Sequence, residues 1–121
     1  MNICRNFKFE AAHFLPHHTG KCRNIHGHSF RLEIEISGEK HRMGPETGMI
    51  LDFSNLKEVV EQHVLDKYDH HCINDFIRNP TAENIVLDIA QRLNDVFQRM
   101  NIIIERIQLW ETDHCSAKWV R

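Results

Sequence analysis

The chain lacks any apolar run approaching the roughly 20 residues that a membrane-spanning helix needs, so no membrane partner is expected. It also lacks a basic excess: 15 Lys and Arg stand against 17 Asp and Glu, for a net charge of −2 with neutral histidine. That balance does not favour bulk electrostatic binding to nucleic acid or to an anionic surface. The opening MNICRNFKFE has no apolar stretch of the kind a secretory signal carries, and the expected location is the cytoplasm. There is no internal repeat, low-complexity tract or linker. One domain over residues 1–121 is therefore expected. With 41% apolar and 26% charged residues, the composition is that of an ordinary folded chain. Cys4, Cys22, Cys72 and Cys115 could form two disulfides, but in a reducing compartment they are expected as free or functional thiols. What the chain has in plenty is histidine, ten in 121 residues. The imidazole is a metal ligand and a proton carrier near neutral pH.

Hydrophobic periodicity sets out the elements. Residues 3–15 read as a strand, with Ile3, Phe7, Phe9, Ala11 and His13 on one face and Asn6, Lys8 and Glu10 on the other. Pro16 ends it, and 16–25 read as a loop. Residues 26–37 alternate more cleanly: His26, His28, Phe30, Leu32, Ile34 and Ile36 share one face, and Ser29, Arg31, Glu33, Glu35 and Ser37 the other. A long turn follows over 37–48. A helix is predicted from Ser54 as cap, with Leu56, Val59, Val60, His63 and Val64 as its stripe. Residues 66–79 read as a connection. A second helix is predicted with Asn79 as cap and Pro80 in its first turn, burying Ile85, Val86, Ile89, Leu93, Val96, Phe97 and Met100. Residues 102–111 and 116–120 read as strands. The order predicts an α+β fold, an antiparallel sheet of about four strands with two helices on one face.

The opening question for function is CRNIHGHSF (22–30). His26 and His28 have the parity of the buried face, and so does His13 on the neighbouring strand. Paired as a hairpin, the two strands would aim three imidazoles at one spot. Burying them unpartnered would be costly. Two outcomes are open: hydrogen-bonded core histidines, or a shared Zn²⁺ or similar divalent ion (nickel, cobalt and ferrous iron suit the same ligands) with three nitrogen ligands and a free fourth position. Cys22 likewise has two readings. It closes the metal shell as a fourth ligand, or it stands beside an open site as a base or nucleophile whose pKa nearby cations lower. In YDHHCIN (68–74), Asp69 can orient His70 and support its charged form. On the last long strand Glu111 continues the row of Ile107 and Leu109. Such a carboxylate either reaches solvent and a basic neighbour or accepts a bidentate pair of N–H donors, as a guanine-like or pterin-like edge offers.

Together these pieces resemble the 6-pyruvoyl-tetrahydropterin synthase family. The likeness covers nearly the whole chain. It is carried by FxAAH (Phe9–His13), C-x3-H-G-H (Cys22–His28), GMILDF (Gly48–Phe53), DH (Asp69–His70), NPTAEN (Asn79–Asn84) and WET (Trp110–Thr112). Three residues between the cysteine and H-G-H are similar to the bacterial branch that makes 6-carboxytetrahydropterin for queuosine and other 7-deazaguanines. Tyr68 and Ile73 depart from the leucines expected around Asp-His. The resemblance implies that His13, His26 and His28 hold Zn²⁺, and that Cys22 is the catalytic thiol working with Asp69 and His70. It implies that Glu111 anchors the pterin, with Thr81 and Glu83 in the pocket wall. It further implies the tunnelling fold, in which sheets of a trimer form a barrel and two trimers form a homo-hexamer with active sites between subunits. The implied reaction takes 7,8-dihydroneopterin triphosphate to 6-carboxytetrahydropterin, acetaldehyde and triphosphate. The competing readings are a pyruvoyl-forming or dihydroneopterin-cleaving relative, and a non-catalytic zinc module.

Overall fold

Alternating side chains decide the sheet. In the computed structural model, which describes all 121 residues, β1 (Asn2–His13) buries Phe7, Phe9, Ala11 and His13 and exposes Lys8 and Glu10. β2 (His26–Ser37) pairs with it antiparallel over its full length, placing Ala11 opposite His28 and His13 opposite His26. Phe30, Leu32, Ile34 and Ile36 are fully buried on the same face. Each such side chain stabilises the fold by about 1.5–3 kcal/mol. β4 (Ile103–Thr112) adds to the other side of β2, and β5 (Cys115–Val120) pairs with β4. The order across the sheet is β3-β1-β2-β4-β5. The fifth strand is β3 (His71–Cys72), two residues running parallel to β1 at Ala11 and Ala12. So short a strand has no periodicity to read in the sequence.

The helices cover the apolar face. α1 (Phe53–Val60) starts one residue before the predicted Ser54. Its cap is Asp52, whose carboxylate accepts the Ser54 N–H at 2.7 Å. An anionic acceptor at the helix N-terminus satisfies an orphan donor and also meets the dipole. The helix does not stop where a connection was expected. It runs on through a π-helical segment (Glu61–Leu65) into α2 (Asp66–Tyr68). Tyr68 is fully buried between Phe9 and Phe76, and its hydroxyl donates to Asp88 at 2.6 Å. Burial, with the Asp88 carboxylate beside it, pushes the phenol far above its usual range.

α3 (Ala82–Arg99) is capped by Thr81, not by Asn79, and Pro80 precedes the helix instead of opening its first turn. Thr81 Oγ1 accepts the Asn84 N–H at 3.2 Å, while the Asn79 carbonyl takes the Asn84 side-chain amide at 2.8 Å. Ile85, Val86, Ile89, Leu93 and Phe97 form its buried stripe. Met100 falls past the end of the helix and is partly exposed.

Candidate functional site

At the end of the β1–β2 hairpin the register brings three imidazoles together. The ring centroids of His13, His26 and His28 lie 4.6, 4.9 and 5.1 Å apart. One nitrogen from each ring falls within 4.8 Å of the others. Main-chain carbonyls choose the tautomer of two of them. His13 Nδ1 donates to the Pro80 carbonyl and His26 Nδ1 to the Asn24 carbonyl, both at 2.8 Å. A carbonyl only accepts, so each Nδ1 carries the proton and each neutral ring keeps its Nε2 lone pair free. The buried Nε2 atoms of His13 and His28 have no hydrogen-bond partner. Leaving such an atom unmet costs about 1–3 kcal/mol. Burial holds both rings below the usual imidazole pKa, only partly opposed in His13 by the Pro80 carbonyl. Neutral rings, free lone pairs and carbonyl-fixed tautomers are the donor set that a divalent metal requires. The cluster fits a metal site. The converging set contains no thiol.

Glu111 reaches the cluster by a route that alternation alone did not describe. Trp110 pairs with Ser116 and Thr112 with Cys115, which leaves Glu111 as the extra residue of a β-bulge. A bulge re-aims a side chain. Here the Glu111 carboxylate lies 3.8 Å from His13 Nε2. Glu111, Thr81 and Glu83 line one cavity of about 270 Å³ together with Leu15.

Asp69 and His70 are docked on the edge of β1. Asp69 Oδ1 accepts the Glu10 N–H at 2.9 Å, and its Oδ2 lies 3.0 Å from His70 Nδ1. The Glu10 N–H holds the Asp69 carboxyl below its usual range, with His70 adding to the effect. The His70 N–H donates back to the Glu10 carbonyl at 2.6 Å. His70 adopts φ of 60°, the left-handed region, and its ring is 78% exposed. That backbone costs about 1–2 kcal/mol in a non-glycine residue. The two-sided grip on Glu10 maintains it. His70 and His28 border an open depression of about 490 Å³ over Ala12 and Gly27.

Cys22 sits in a single 3-10 turn, Lys21–Arg23, and is half-buried. Its carbonyl accepts the Leu15 N–H at 2.9 Å, closing the loop that follows His13. Cys22 lines neither the cavity at Glu111 nor the depression at His70. All four cysteines are free thiols. The carbonyls of Pro80 and Asn24 went unforeseen, since a main-chain oxygen leaves no mark in residue type.

An α+β sheet carrying a converging histidine triad at the end of a hairpin is compatible with a metal-site protein class. Comparison with known proteins narrows it. The model of the family described as 6-pyruvoyl tetrahydropterin synthase matches residues 2–121, and the chain belongs to that enzyme family. A 6-carboxy-5,6,7,8-tetrahydropterin synthase of Synechocystis is 44% identical over 77% of this chain and 74% of its own. A dihydroneopterin monophosphate aldolase of Pyrococcus furiosus is 35% identical over 85% of this chain and 82% of its own. In fold, the 6-pyruvoyl tetrahydropterin synthase of Caenorhabditis elegans superposes with a TM-score of 0.83. That match covers 100% of this chain and 95% of the other, at 24% identity. No helix is long and apolar enough to cross a membrane.

Proposed function

We propose that the chain is a zinc-dependent 6-carboxy-5,6,7,8-tetrahydropterin synthase. With one water, it converts 7,8-dihydroneopterin triphosphate to 6-carboxytetrahydropterin, acetaldehyde and triphosphate, in the cytoplasm, on the route to queuosine. The observation that carries this reading is the set of imidazole nitrogens within 4.8 Å, two of them buried and unpartnered, beside the Glu111 carboxylate. His13, His26 and His28 would hold the ion, which when bound supplies Lewis acidity toward side-chain oxygens of the substrate.

The chain's own residues do the rest. Glu111 accepts two N–H donors from the amino-pyrimidine edge of the pterin and so fixes the ring, while Thr81 and Glu83 wall the pocket. The Cys22 sulfur takes a carbon-bound proton from the substrate side chain. Asp69 stays ionised, because the Glu10 N–H depresses its pKa. It accepts His70 Nδ1–H, leaving Nε2 to give or receive a proton. Cys22 borders neither cavity, which supports completion of the site between subunits of a homo-hexamer. The open rims of the sheet, at β5 and along most of β1, support the same reading.

A second reading follows from the aldolase relative: cleavage of a dihydroneopterin without formation of the 6-carboxy product. Incubation with 7,8-dihydroneopterin triphosphate and mass spectrometry of the products separates the readings. The 6-carboxy product with acetaldehyde is expected. A pyruvoyl or hydroxymethyl pterin would replace the first reading with a relative's reaction, and unchanged substrate would leave a non-catalytic metal module.

A further inference from the structure

We infer that Asn74 is a positioning residue for the imidazole cluster, an inference that rests on the metal reading above. β3 pairs with β1 only at Ala11 and Ala12, and then the chain turns away through Ile73–Asp75. The ladder along the β1 edge should end there, just before His13. It does not. The Asn74 side chain reaches back across 60 positions and takes the next rung. Its Oδ1 accepts the Phe14 N–H at 2.9 Å, and its Nδ2 donates to the Phe14 carbonyl at 2.8 Å. A side-chain amide has one acceptor and one donor group spaced like those of a strand, and only this orientation of the amide satisfies both bonds.

The Phe14 nitrogen lies in the peptide plane that begins at the His13 carbonyl carbon. Fixing that plane fixes ψ of His13. His13 is therefore held at three points: its partner His26 across the hairpin, the Pro80 carbonyl on its ring, and Asn74 on the peptide that follows it. The next N–H, that of Leu15, goes to the Cys22 carbonyl. Asn74 thus ties the segment bearing Asp69 and His70 to the metal ligand and to the neck of the Cys22 loop. Its own sequence neighbours would suggest a solvated turn.

Outer groups that orient metal ligands typically contribute 10–100-fold to metal affinity. Asn74→Ala and the near-isosteric Asn74→Leu should each lower zinc affinity by about that factor, measured by chelator competition below the melting temperature. Ile36→Val, a core substitution at the far end of the sheet, should leave affinity unchanged. Linkage requires the reverse effect in the unaltered protein: loading zinc should slow hydrogen exchange at the Phe14 amide. Wild-type affinity in both Asn74 variants overturns the proposal, as does an equal loss in Ile36→Val, or Phe14 exchange that is indifferent to zinc. If the unaltered protein binds no zinc, the metal reading fails first and the Asn74 role with it. Normal binding that ignores Asn74 removes only the latter.

Discussion

His13 Nδ1 lies 2.8 Å from the carbonyl oxygen of Pro80, 67 positions along the chain. This contact joins the end of a hairpin to the residue before the α3 cap, and it presents the free lone pair of His13 to the cluster. Replacing His13, His26 or His28 by alanine removes a donor outright. Each variant should lose more zinc affinity than the roughly 10–100-fold typical of an outer partner. Metal content after dialysis, by mass spectrometry, is the check, and one retained zinc per chain would count against a three-imidazole site.

Cys22 stands outside the converging nitrogens. Cys22→Ala should keep its zinc and lose turnover by a factor typical of a missing proton-transfer group, about 10²–10⁴. Loss of the metal in this variant would instead assign the sulfur to the coordination shell.

Glu111 is placed by a bulge and faces the cluster at 3.8 Å. Glu111→Ala should weaken pterin binding by at least roughly 10–150-fold, the equivalent of one of the two charged hydrogen bonds that the carboxylate accepts. Zinc should remain. Calorimetric titration with a non-reactive pterin measures it, and undiminished affinity would move the anchor elsewhere.

Acid should destabilise the metal-free protein. Burial holds the pKa of His13 and His28 below the ordinary value. Below about pH 6.5 the unfolded chain then binds more protons than the folded one. The stabilisation is complete above that pH and is lost as pH falls through the depressed folded pKa values. The melting temperature should therefore drop between about pH 7.5 and 5, and His28→Gln should shrink the drop. A melting temperature that stays level over this range would contradict the burial of neutral rings.

Tyr68→Phe keeps the ring between Phe9 and Phe76 and removes only the hydroxyl that meets Asp88. Asp88 retains the Arg92 guanidinium at 2.6 Å. A loss of about 1.5 kcal/mol in urea unfolding is expected, with catalysis intact.

Much of this was legible from alternation. The parity of His13 with Phe9, and of His26 and His28 with Phe30, is enough to place three rings on one face, because a strand repeats every two residues. Helix starts were less legible. Ser54 and Asn79 are good caps in isolation, yet Asp52 and Thr81 hold those positions. Several adjacent residues could each satisfy the first turn, and packing of the helix on the sheet selects among them. Parity put Glu111 in the row of Ile107 and Leu109, but a bulge between Trp110 and Thr112 sets its direction, and alternation does not report a bulge. The two-residue β3 and the reach of Asn74 to Phe14 depend on contacts about 60 positions apart, and no local pattern reports those.

The sheet leaves a long rim bare on each side, one along β5 and one along most of β1. Unsatisfied main-chain groups in such rows are a template for further strands. For a lone chain that is a hazard; for the homo-hexamer proposed above it would make concentration a control variable. Dilution, or a proline set into β5, should disarm this protein at temperatures where heat alone leaves every protomer folded.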